Sequence, residues 1–197
     1  MTAAAKKSKR SRYRVADEFL RFWFRFVEPN RSSIEEAPEI VYEGTIAPAL
    51  PDHVAPTFET VCQEAVWELV RRGEFPAYSE VGRWWYGEDK IDIVGLAPND
   101  DRILFAECKW TAEPVGESLA VELRRKAANV RWGPDNRTEQ FALFSKNGFV
   151  DGMADDLGSE WSLFSVDELD RLFLVRDGER ERGDPRCNVV HARHEPC

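Results

Sequence analysis

Hydrophobic positions recur at helical spacing from Val15 to Val27, where Phe19, Phe22, Trp23 and Phe26 share a face that Leu20, Phe24 and Val27 widen. The pattern predicts a helix over 15–27, stopped by Pro29 and Asn30. So wide an aromatic face must be covered, by this chain or by another. Residues 30–56 carry Pro38, Pro48, Pro51 and Pro56 without a sustained period, which predicts a wrapping linker with one short helix near 33–42. Thr57 reads as the N-cap of a helix over 57–72, with Phe58, Val61, Cys62, Ala65, Val66 and Leu69 on one face and Gly73 as its stop.

After Pro76 the period changes to that of strands, over 78–86, 90–97 and 102–110, and the short connections predict an antiparallel meander. A helix over 116–130 follows, then a strand over 140–145, a turn at Lys146-Asn147-Gly148, and a last helix opened by a Ser165-Val166-Asp167-Glu168 capping box. The order αβββαβ describes an α/β fold, a mixed sheet flanked by helices. The segments are a basic arm (1–14), the aromatic helix and linker (15–56), the sheet domain (57–175) and a polar tail (176–197).

Composition narrows the class. A chain of 197 residues, 43% apolar, supports one core. No run approaches the roughly 18 apolar residues of a membrane span, and no secretory signal opens the chain. Four scattered Cys do not form a disulfide framework, so a reducing cytoplasm is expected. The net charge of -9 argues against a non-specific nucleic-acid binder, though only for the average surface. Lys6, Lys7, Lys9, Arg10, Arg12 and Arg14 stand together without an acid. Lysine is scarce elsewhere, at 90, 109, 126 and 146 only, a bias expected of a salt-adapted or GC-rich source.

The candidate chemistry sits in the two most apolar strands. Glu107 and Lys109, two residues apart, share a face of the third strand. Asp92 interrupts the neighbouring run Ile91-Asp92-Ile93-Val94. A hairpin turning over 98–101 pairs Ala97 with Arg102 and sets Asp92 opposite Glu107, with Cβ atoms roughly 5 Å apart. Opposed carboxylates on a half-buried sheet repel, and a divalent cation removes that penalty. Mg²⁺ or Mn²⁺ suits them, because Mg²⁺ takes one or two carboxylates and keeps waters. Lys109 would then orient a water or offset charge on a phosphate, which is the chemistry of metal-assisted phosphodiester hydrolysis. The same residues also admit a plainer arrangement, an ion pair of Asp92 with Lys109 and a solvated Glu107.

Asp92 and Glu107-x-Lys109 in successive strands, after a helix with an early acid and before a helix and a strand, resemble the PD-(D/E)XK nuclease superfamily. More narrowly, the stretches 22–26, 58–62, 81–85, 91–94, 107–110 and 144–149 resemble the carboxy-terminal domain of archaeal AAA-type ATPases. The resemblance implies a restriction-endonuclease-like fold, a Mg²⁺-dependent deoxyribonuclease site of Glu59, Asp92, Glu107 and Lys109, and Asp92 and Glu107 as metal ligands. Glu64 competes with Glu59 for the helix position, since five residues turn a helix by about 140°. The family's ATPase is not expected here: Gly82 and Gly87 have phosphate-loop spacing, but Glu88 and Asp89 follow where Lys and a hydroxyl are needed, so no nucleotide is expected. The basic start resembles the end of a winged-helix wing, and a detached carboxy-terminal piece is expected.

Weaker signals remain. Arg83 and Trp85 could meet DNA, as could Arg124, Arg125, Lys126 and Arg131 on the second helix. Cys187, His191, His194 and Cys197 admit a cramped zinc site. A catalytically inactive fold that binds protein or DNA is the alternative, with residues 15–27 as a docking or self-association face and no membrane partner.

Overall fold

The computed structural model describes residue 15 and residues 17–183; the basic arm and the Cys187–Cys197 cluster fall outside them. An amino-terminal helical segment leads into a five-stranded sheet with helices on both faces, a mixed α/β architecture. Among the described residues no helix is long and apolar enough to cross a membrane.

The first helix, α1 (Glu18–Phe22), is capped by the Asp17 carboxylate on the Leu20 amide and continues as a π turn over Trp23–Val27. Phe26 is buried, and Phe22 and Phe26 meet His53 edge-on at 5.8 and 5.2 Å. Phe19 and Phe24, by contrast, remain 67% and 60% exposed, so the chain covers only part of this aromatic face.

The expected linker is instead helical. Short helices α2 (Arg31–Glu36) and α3 (Pro38–Val41) and a π turn (Tyr42–Ile46) run into α4 (Ala47–Arg71). The helix expected to start at Thr57 therefore starts ten residues earlier and passes through Pro51 and Pro56, and His53 lies on it, not in a loop. Pro48 sits in the first turn, where a missing N–H costs little. Farther in, Pro56 has no N–H to donate to the Asp52 carbonyl four residues back, and its own carbonyl accepts from the Thr60 hydroxyl at 3.2 Å. Burial of His53, Phe58, Cys62, Ala65, Val66 and Leu69 along one face outweighs the proline penalty.

Strands β1 (Glu80–Tyr86), β2 (Asp89–Ala97) and β3 (Arg102–Lys109) form the antiparallel meander. Gly87, at φ 61°, supplies the left-handed turn between the first two. Helix α5 (Glu117–Ala127) then crosses to β4 (Thr138–Ser145), which lies parallel to β3. A fifth strand, β5 (Trp161–Ser165), follows a short helix α6 (Met153–Asp156), lies parallel to β4 and was not expected. The capping box opens the last helix, α7 (Val166–Gly183): Glu168 accepts from the Ser165 amide at 2.6 Å and from its hydroxyl at 2.8 Å. Helical backbone thus extends into the segment read as tail.

Two cores result. On one face Leu119 and Leu123 of α5 pack on Val94, Phe105, Phe141 and Leu143; on the other, Phe58, Cys62 and Leu69 of α4 pack on Ile93, Leu104, Ala106 and Phe144. The β2–β3 register runs from Ala97↔Arg102 to Ile93↔Ala106, as the hairpin predicts.

Candidate functional site

The ladder is disturbed where the acids lie. Between Gly82↔Val94 and Trp84↔Ile91, β1 advances two residues and β2 three, so β2 carries one extra residue. The bulge puts Ile91 and Ile93 into opposite cores despite their spacing of two. Between them Asp92 turns its carboxylate onto β3, where Oδ2 accepts the Cys108 amide at 3.1 Å. A side chain thus replaces a ladder carbonyl and brings Asp92 against Glu107.

Asp92 and Glu107 are 6% and 4% exposed. Burial and the neighbouring Asp92 charge push the Glu107 carboxyl up to about 7, against the opposing hydrogen bond from Lys126. Burial also acts to raise Asp92, but hydrogen bonds from Lys90, the Cys108 amide and Glu107 hold it below the ordinary carboxylate value. The pair has one ionised and one proton-retaining member.

Three further cations complete the cluster. Lys90 Nζ lies 2.7 Å from Asp92 and 2.9 Å from Glu59, and Arg83 reaches the other Glu59 oxygen at 2.8 Å. Lys126 Nζ lies 2.8 Å from Glu107 and 3.2 Å from Glu122. Burial disfavours both ammonium groups, yet the Asp92 and Glu59 partners of Lys90, and the Glu107 partner of Lys126, raise them above the ordinary lysine value. Glu59 joins the cluster, whereas Glu64 is exposed.

Lys109 shares the strand face of Glu107, half-buried, and no ion pair or hydrogen bond to its ammonium occurs among the described residues. The plainer arrangement is therefore not the one adopted: Asp92 pairs with Lys90 rather than Lys109, and Glu107 is buried rather than solvated. Sequence reasoning missed Lys90 and set Lys126 among groove cations. The scarcity of lysine was the available signal, since Lys90 and Lys126 both pair with these acids, and Lys146, whose amide donates to the Lys109 carbonyl, stacks over Trp110.

The other expected contacts scatter. Arg125 pairs with Asp89 at 2.8 Å. Arg124 bonds Glu160 and lies over the Phe141 and Trp161 rings. Arg124, Arg131, Trp132, Arg137 and Phe141 line an open concavity of about 930 Å³ that none of the four acid-cluster residues enters.

Among the described residues, no three His, Cys, Asp or Glu side chains converge in metal-ligand fashion. Two adjacent, buried carboxylates of opposed pKa shift do fit a hard cation that keeps most of its waters.

Comparison with known proteins gives a family without an assigned activity. The DUF234 family, described as archaeal and bacterial proteins of unknown function, matches residues 23–127. An uncharacterised protein of Methanocaldococcus jannaschii, MJECL04, is 37% identical over 143 residues, which are 71% of this chain and 32% of that protein. The chain therefore spans about a third of the length of this relative. No solved structure matches.

Proposed function

The chain belongs to the DUF234 family, and on that premise we propose that its acid cluster is a PD-(D/E)XK-type, metal-dependent nuclease site acting on DNA. The observation that carries the reading is the bulge that sets buried Asp92 against buried Glu107, with Lys109 two residues beyond Glu107 on the same strand and its ammonium unpaired among the described residues. The restriction-endonuclease-like arrangement, the Mg²⁺ or Mn²⁺ requirement and the kinship with carboxy-terminal domains of archaeal ATPases belong to the same proposal.

Asp92 and Glu107 would hold the cation, which supplies charge neutralisation at a phosphate oxygen and acidifies a bound water. The remaining steps fall to the chain's own residues. Lys126 and Lys90 balance the two carboxylates and keep them in place. Glu59, tied to Lys90 and Arg83, fixes those cations relative to α4. Lys109 can orient the attacking water and offset charge growing on the phosphate, because among the described residues no carboxylate competes for its ammonium.

Incubation of plasmid or branched DNA with Mg²⁺ or Mn²⁺ tests the reading. The parent cleaves, whereas Glu107→Gln and Lys109→Met lose at least about a hundredfold in rate, the scale of removing one aimed charge from a reaction centre. Equal cleavage by all three would remove the catalytic reading. The competing reading, an inactive binding fold, takes support from the exposed Phe19 and Phe24, and it predicts DNA or protein binding with no cleavage by any of them.

A further inference from the structure

The strand β1 ends the sheet, and its tip carries Trp85, 70% exposed. Strand alternation fixes which face Trp85 presents. Val81 packs into the α4-side core and Arg83 reaches Glu59 of α4, so Trp85 projects on that same face, beyond Arg83. Its cross-strand partner is Lys90, whose ammonium touches both Glu59 and Asp92. Two strand residues, roughly 7 Å, separate Lys90 from Asp92. Trp85 therefore flanks the acid cluster at about the reach of one nucleotide.

A tryptophan so exposed gives up the burial of a large apolar ring, and what it offers in return is a flat π face. In a duplex the faces of each base are covered by its neighbours, so only an unpaired or extruded base can lie on such a ring. Arg83 and Lys90, half-exposed beside it on the same face, supply positive charge for the phosphates on either side. We propose that Trp85 is a stacking platform for an unpaired nucleobase, so that the substrate is single-stranded DNA or DNA with an unpaired nucleotide at the reacting phosphate. This deepens the nuclease reading and rests on it for the position of that phosphate.

Fluorescence anisotropy of the full chain, with labelled oligothymidylate and a duplex of equal length in EDTA, tests the platform without hydrolysis. The parent prefers the single strand. Trp85→Ala weakens that binding by roughly 5- to 150-fold, the range for one base–aromatic stack, and leaves duplex binding unchanged. Trp85→Phe keeps most of the affinity, and Tyr86→Ala, on the opposite face, stays within about twofold. Unchanged single-strand binding by Trp85→Ala, equal loss on the duplex, or a parent that ignores oligothymidylate would overturn the platform. So would a dimer that Trp85→Ala dissolves with no oligonucleotide bound, since it gives the strand edge to a second copy. Binding that depends on Trp85 without cleavage in Mg²⁺ leaves the platform standing and removes the nuclease reading. Cleavage with binding indifferent to Trp85 removes the platform alone.

Discussion

Glu107 keeps a proton in the folded chain that the unfolded chain releases, because its carboxyl sits at about 7 rather than 4.5. Stability therefore falls as pH rises between those values, and the ionised form above about 7 carries a penalty on the order of 3 kcal/mol. Glu107→Gln, in chelator, is expected to be more stable than the parent by about 1–3 kcal/mol at pH 8 and indistinguishable near pH 4.5. Urea denaturation at the two pH values checks this; equal stability at pH 8 would mean that Glu107 is not buried as an acid. The two lysines differ in the same way. Lys126 is almost buried against Glu107, so Lys126→Met strands a buried carboxylate and costs roughly 3 kcal/mol at pH 8. Lys109→Met breaks no ion pair and stays within about 0.5 kcal/mol. Asp92, Glu107 and Lys109 stood out in the sequence because charged groups inside apolar strands are conspicuous, whereas Glu59, on α4, was named only through the family resemblance. Lys90 was not legible, because it lies just outside the apolar run and reaches Asp92 through a bulge that no spacing rule announces.

At the level of elements, the prolines and the Thr57 cap misled, whereas the Ser165 capping box did not. Pro48, Pro51 and Pro56 read as a linker, yet buried contacts from His53 to Leu69 carry the helix through them. The amino-terminal segment is held chiefly by Phe26 against His53, so Phe26→Ala should cost about 3–5 kcal/mol by thermal or urea unfolding. A loss under 1 kcal/mol would show that α1 and its π turn dock weakly. The Ser165 box was readable because its four residues are local, whereas β5 was not: five residues between a turn and a cap carry too little pattern to separate strand from loop. Ser165→Ala removes the hydroxyl–Glu168 bond and should cost about 1 kcal/mol.

Over the whole molecule the net charge of -9 describes the surface average, while among the described residues the buried Asp92 and Glu107 carboxylates are paired with two of the chain's seven lysines, Lys90 and Lys126. On the proposed nuclease reading, that local reversal would let an acidic protein offer a site to a polyanion. The mixed sheet explains how distant residues assemble there: α4 brings Glu59, β2 brings Lys90 and Asp92, β3 brings Glu107 and Lys109, and α5 brings Lys126. The claim on which the account turns is that Asp92 and Glu107 together hold one divalent cation. Calorimetric titration of the chain with Mn²⁺ at pH 8 measures it directly: one site is predicted in the parent and none in Asp92→Asn or Glu107→Gln, whereas no binding by the parent, or equal binding by all three, would contradict it.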